Sequence, residues 1–266
     1  MELAGRTVLV TGASGGIGQA IAKALHARGA SVVVSARRAE VLDELSEALG
    51  GERVETALAD LADRGEVAKL AERCADVDVV VANAALPASG RIDDFSPEQI
   101  DRALEVNLRA PIQLTRALME GMVERGSGHL VFIASLSGKV ATARSALYSA
   151  TKFGIRGFTA GLREDLHGSG VGVTTVYPGF ISDAGLFAEA NVELPTGVGT
   201  RTPEQVADAV VKGIERGKPE IVVAPLGLRA GTFASTIAPN LTAPIQRRLG
   251  SAEIADALAE GQAHKR

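Results

Sequence analysis

Residues Thr7 to Gly18 read TVLVTGASGGIG, and the amphipathic stretch Gln19 to Arg28, QAIAKALHAR, follows directly. The apolar run Thr7–Val10 predicts a strand, the glycines predict a tight turn, and the stretch after them predicts a helix. Strand, glycine turn and helix in that order form a phosphate cradle. Glycines let the backbone approach a pyrophosphate closely, and the helix N-terminus offers free N–H groups and a favourable dipole. A glycine-rich turn is a weak signal alone; its place between a strand and a helix is what gives it weight.

Outward from this stretch the same alternation repeats. Ser31–Ser35 is a second apolar strand, and Arg37 and Arg38 follow it, about twenty residues after the glycine turn. An acid at that point would accept hydrogen bonds from the ribose of NAD, whereas arginine suits the 2′-phosphate of NADP; NADP(H) is therefore favoured over NAD(H). Helix Val41–Leu49, strand Val54–Ala59, a helix capped by Asp63 and running to about Cys74, and strand Asp78–Ala82 come next. Ser96-Pro97-Glu98 opens a helical region ending near Gly126, with Asn107 inside it as a poor helix former that implies either packing or a kink. Strand His129–Ala134, a helix ending at about His167, strand Val171–Tyr177, a helix from Thr202-Pro203 to Gly217 and strand Glu220–Ala224 complete the pattern. Such near-continuous apolar strands suit a parallel sheet covered on both faces. The expectation is an α/β, doubly wound, three-layer Rossmann-type domain over residues 1–266. Residues 183–200 would form a substrate lid, and residues 225–266 a C-terminal extension.

The chemistry concentrates in Ser135–Lys152, SLSGKVATARSALYSATK. On a helix, Tyr148 and Lys152 are i and i+4 neighbours. A phenol of pKa about 10 is a reluctant proton carrier near neutrality. A lysine ammonium roughly 5 Å away, at an effective dielectric of about 20, favours the phenolate by about 3 kcal/mol, or about two pK units. Ser135 follows the apolar run and presents its hydroxyl at the carboxyl edge of the sheet.

Composition narrows the remaining classes. With 266 residues and 46% hydrophobic composition the chain can bury a large core. A net charge of −4 and a pI near 5.7 argue against nucleic acid as a partner. Cys74 is the one cysteine, and His26, His129, His167 and His264 are too scattered for a metal motif, so no metal is expected. The N-terminus lacks the plan of a signal peptide, and no apolar run of about 18 residues is present to span a membrane, which together predict a cytoplasmic protein. Residues 225–246 carry only Arg229 as a charge and suggest a lid, an oligomer contact or a membrane-facing patch.

Taken together, Thr11-Gly12-x-x-x-Gly16-Ile17-Gly18, Asp60, Asn83-Ala84, Asn107, Ser135, Tyr148-x-x-x-Lys152 and Pro178-Gly179 resemble the short-chain dehydrogenase/reductase family over roughly residues 5–224. The resemblance implies that Tyr148 is the proton donor or acceptor and that Ser135 holds the substrate oxygen. Lys152 would bind the nicotinamide ribose, and Asn107 would hold a water linking Lys152 to solvent. Gly12, Ser14, Gly16, Ile17 and Gly18 would line the pyrophosphate; Asp60 and Leu61 the adenine; Asn83 and Ala84 the ribose region; Pro178, Gly179 and Ile181 the nicotinamide end. Ala85, Asp183 and Gly15 depart from common family patterns. Ser182, beside Asp183, would then serve the carboxamide, and the absence of a basic residue at Gly15 leaves the NADP assignment on Arg37 and Arg38. Leu136, Phe180, Leu186 and Phe187 would give an apolar substrate pocket. The implied activity is NADP-dependent interconversion of a carbonyl and an alcohol on an apolar small molecule, in a homodimer or homotetramer built through helices near 98–125 and 147–168. A non-catalytic NADP-binding regulator is the alternative; a sugar-nucleotide epimerase or dehydratase is disfavoured because the chain has no room for a second domain.

Overall fold

A computed structural model describes residues 1–189, 199–238, 240 and 251–262. Seven strands, β1 (Thr7–Thr11), β2 (Ser31–Ala36), β3 (Val54–Leu58), β4 (Val79–Ala82), β5 (Gly128–Ile133), β6 (Val171–Pro178) and β7 (Glu220–Val223), form one sheet in the order β3-β2-β1-β4-β5-β6-β7. Every neighbouring pair is parallel. The chain winds outward from β1 to β3, returns to β4 on the other side of β1, and continues to β7. The point where the winding reverses, between β1 and β4, opens a crevice at the carboxyl ends of the strands.

The helices are α1 (Gly16–Ala27), α2 (Ala39–Ala48), α3 (Arg64–Arg73), α4 (Pro97–Leu104), α5 (Ala110–Glu124), α6 (Ala146–Asp165), α7 (Gly185–Glu189), α8 (Pro203–Arg216), α9 (Leu226–Ile237) and α10 (Ser251–Gln262). Alternation along each strand splits the core. Val8, Val10, Val32 and Val34 pack with Ile21 and Leu25 of α1 and Val210 and Ile214 of α8 on one face. On the other, Leu9, Val33, Val80 and Phe132 pack with Leu70 of α3, Leu114 and Leu118 of α5 and Ile155 of α6. Both faces are covered, as the continuous apolar runs require.

Local chemistry sets the boundaries. Asp63 caps α3 by accepting hydrogen bonds from the N–H groups of Gly65 and Glu66, as expected from its position. Ser96 with Gln99 and Thr202 with Gln205 form reciprocal caps ahead of Pro97 and Pro203. Gly217 closes α8 with φ of 60°. The long region from Ser96 is not one regular helix: a π-helical turn at Glu105–Arg109 joins α4 to α5, and Asn107 lies within it. Of the expected lid, Gly185–Glu189 is helical, while residues 190–198 lie outside the described residues. The C-terminal extension supplies α9 and α10. No helix among the described residues is long and apolar enough to cross a membrane, and these residues hold no cluster suited to a metal ion.

Candidate active site

The glycine turn leaves β1 at Thr11 and enters α1 at Gly16. Gly12 has φ of 67°, and a Cβ there would lie 2.7 Å from Cα of Ala84, so the turn and the end of β4 meet backbone to backbone. A Cβ on Gly18 would lie 2.3 Å from the carbonyl oxygen of Gly12. The Thr11 hydroxyl accepts hydrogen bonds from the N–H groups of Asn83 and Ala84, at 3.1 and 3.3 Å. The Asn83 side-chain amide donates to the carbonyls of Thr11 and Gly12, at 3.0 and 3.2 Å. That amide therefore fastens the glycine turn, a structural task beyond the ribose contact expected of it. No side chain caps α1, and no acid lies in its first turn, so its N-terminus remains available to an anion. These features fit a dinucleotide pyrophosphate.

One wall of this crevice comes from the segment after β6. Gly179 donates its N–H to the carbonyl of Val223, and a Cβ at Gly179 would meet Leu136 at 3.2 Å, which brings the β5 and β6 connections together. Ile181 is buried and pairs with Arg201. A Cβ on Gly16 would lie 2.4 Å from that of Ala184, and one on Gly185 would meet Ile17 at 2.9 Å. The strand exit from Pro178 thus passes over the glycine turn. Phe180 and Phe187 face each other with ring centroids 4.9 Å apart. The backbone of Leu186 lies beside Phe187 in α7; its side chain is outside the described residues.

At the far end of the crevice, Arg38 donates to the carbonyl of Ser14 at 3.0 Å, placing a cation against the glycine turn. Asp60, next to buried Leu61, receives Arg102 at 3.1 Å and has Arg37 at 3.9 Å, with the Ala62 N–H donating to its other oxygen at 3.0 Å. Arg102 was not foreseen. It reaches Asp60 from α4, 42 positions along the chain, and only the tertiary fold brings the two together.

Ser135, Tyr148 and Lys152 converge at the end of β5. Ser135 caps a short 3₁₀ turn, Leu136–Gly138, by accepting the Ser137 N–H at 3.1 Å. This turn rests on α6: a Cβ at Gly138 would lie 2.7 Å from the Lys152 carbonyl oxygen. The Ser135 hydroxyl is near enough to the Tyr148 phenol to favour its ionised form. The Lys152 ammonium lies 5.6 Å from the centre of the Tyr148 ring and donates to the Ile133 carbonyl at 3.1 Å. Lys152 is 3% exposed, and burial lowers its pKa to about 8.

The expected acidification of Tyr148 is overturned. Burial pushes the phenol up to about 12, outweighing the nearby Ser135 hydroxyl, which pulls it down. The amine does not reverse this. Its ammonium is directed at a backbone carbonyl, and its own charge is disfavoured by the same apolar surroundings. The i, i+4 spacing predicts proximity correctly, but the Coulomb estimate omits the desolvation of both partners.

Asn107 is 2% exposed. Its Oδ1 accepts the Leu86 N–H at 2.6 Å, and its Nδ2 donates to the Leu86 carbonyl at 2.9 Å. The side chain thereby ties the π-helical turn to the connection after β4, which answers why an asparagine stands inside a helix. The turn packs against α6.

Comparison with known proteins places the chain among relatives of one family. A family profile described as short chain dehydrogenase matches residues 6–193. The ketoacyl reductase HetN of Nostoc is 37% identical over 228 residues, spanning 83% of this chain and 79% of the relative. Dehydrogenase/reductase SDR family member 7B of Bos taurus is 33% identical over 256 residues, spanning 88% of this chain and 78% of the relative. A short-chain dehydrogenase from Sphingobium yanoikuyae, solved in complex with NADPH, superposes with a TM-score of 0.77 at 27% identity, covering 89% of this chain and 95% of the other.

Proposed function

The chain belongs to the short-chain dehydrogenase/reductase family of oxidoreductases, and from that premise we propose that it is an NADP(H)-dependent reductase of apolar carbonyl compounds with Tyr148 as proton donor. The observation that carries this reading is the convergence of Ser135, Tyr148 and Lys152 where the 3₁₀ turn packs on α6, with the Lys152 ammonium 5.6 Å from the centre of the Tyr148 ring. NADPH, when bound, supplies the hydride. Tyr148 gives its phenolic proton to the oxygen that becomes the alcohol, and Ser135 donates a hydrogen bond to that oxygen as charge develops on it. Burial holds the Tyr148 phenol in its protonated form, as a proton donor requires. Lys152, whose ammonium lies 5.6 Å from the centre of the Tyr148 ring, would restore the proton.

Arg38 against the glycine turn and Arg37 beside Asp60 support the 2′-phosphate of NADP over an unmodified ribose, in line with the NADPH-bound structure of the Sphingobium relative. Leu136, Phe180 and Phe187 support an apolar substrate. Exposed Val123 on α5 and Phe153 on α6 support a homo-oligomer through those helices, and light scattering measures it. A cytoplasmic location agrees with the lone, buried Cys74.

The test is NADPH consumption against a panel of ketones, quinones and aldehydes. Tyr148→Phe should lower kcat at least 100-fold while leaving NADPH binding intact, and Arg38→Ala should weaken NADPH much more than NADH. Equal turnover in the Tyr148 variant would remove the mechanism, and NADPH binding with no turnover of any substrate in the panel would favour the non-catalytic regulator.

A further inference from the structure

Helix α10 does not lie apart from this site. It packs against α7, on the segment that carries Phe187. Asp256 of α10 accepts the Arg144 Nε–H at 2.6 Å, with the second carboxylate oxygen 3.5 Å from Nη2. Arg144 stands four residues before Tyr148, in the turn that feeds α6. Its φ of 58° lies in the left-handed region, which is uncommon for a residue with a Cβ. Two contacts hold it there: Gly90, after β4, donates its N–H to the Arg144 carbonyl at 2.6 Å, and Asp256 holds the guanidinium. The next residue, Ser145, hydrogen-bonds Thr142 and Ser149, so the turn and the start of α6 form one unit.

Both attachments of α10 therefore lie on connections leaving the carboxyl ends of β5 and β6. Ser135 and Pro178 stand at those same strand ends. We propose that α10 is a wall of the substrate cleft and that the Arg144–Asp256 pair sets the size of apolar substrate admitted, an inference that rests on the carbonyl-reductase reading above. The helix buries the small side chains of Ala255 and Ala259 on its inner face. Compact apolar ketones and aldehydes fit with the helix in place; long or bulky ones need it displaced. The two charged side chains are 31% and 48% exposed, so water competes for the pair and the latch is weak enough to open.

The test uses full-length Asp256→Arg, Arg144→Asp and the double variant that exchanges the two charges. Aspartate tolerates the left-handed region, so the exchange preserves the turn. Two measurements are made: hydrogen exchange of residues 255–262, and kcat/KM with NADPH for cyclohexanone against benzophenone. Each single variant should speed exchange about 2- to 5-fold, the range open to an exposed ion pair, and should shift the kcat/KM ratio toward benzophenone by a similar factor through KM. The double variant should restore both. Unchanged exchange in the single variants overturns the latch, and changed exchange with an unchanged substrate ratio overturns the wall. If the wild type turns over no member of the ketone, quinone and aldehyde panel, the reductase reading fails separately, and exchange alone then decides whether the pair holds the helix.

Discussion

Pro111 deprives the Asn107 carbonyl of the donor that an α-helix would place four residues ahead, because proline has no N–H. With the Asn107 side chain committed to Leu86, the backbone carbonyl is the part of the residue whose α-helical donor is missing. Pro111→Ala supplies the missing N–H and removes the reason for that freedom. We expect it to leave thermal stability unchanged or slightly raised and to lower kcat about 3- to 10-fold with little change in KM; unchanged steady-state kinetics would show that the carbonyl has no part in turnover. The spacing of Asn107 and Pro111 is visible in the sequence. Its meaning is not, because nothing in a linear pattern marks a π-helical turn or points it at Leu86.

The 3₁₀ turn Leu136–Gly138 is held closely against α6. It presents Ser135 to Tyr148, yet its contact with α6 is backbone on backbone at Gly138. In Gly138→Ala, the new methyl would meet the Lys152 carbonyl at 2.7 Å, and helix backbone cannot give way as a flexible side chain would. The turn must lift, carrying Ser135 with it. We expect a loss of about 1–3 kcal/mol in urea unfolding and a fall in kcat of at least 10-fold; wild-type kcat in this variant would refute the coupling. The glycine reads in the sequence as simple turn chemistry beside a serine, and only the packing of α6 gives it this second role.

For the whole molecule, buried titratable groups shape stability against pH. His129 is 3% exposed; its Nε2 lies 2.8 Å from the Thr174 hydroxyl, which itself donates to the Lys218 carbonyl, so the imidazole is the donor. Burial lowers its pKa from 6.5 to about 4. Between these values the unfolded chain binds a proton that the folded chain refuses, so stability falls as pH drops from 6.5 toward 4. Lys152 shows the same sign on the alkaline side: stability rises as pH increases from about 8 to 10.5, where the unfolded lysine is still charged. Tyr148 acts oppositely, and stability declines as pH increases from 10 to about 12. In urea titrations, His129→Gln should flatten the acid limb by up to roughly 3 kcal/mol and Lys152→Met should abolish the alkaline rise. Limbs identical to the wild type would contradict the burial of these groups.

The order of strands and helices, the glycine cradle and the membership of Ser135, Tyr148 and Lys152 in one site are written along the chain, because each depends on local period, turn chemistry or an i, i+4 offset. The direction of the Tyr148 shift, the Arg102 and Arg37 contacts with Asp60, the fastening of the glycine turn by Asn83 and the attachment of α10 through Asp256 are not. Each of these depends on which groups lose water together and on contacts between residues distant in sequence. Those quantities come into being only when the layers pack.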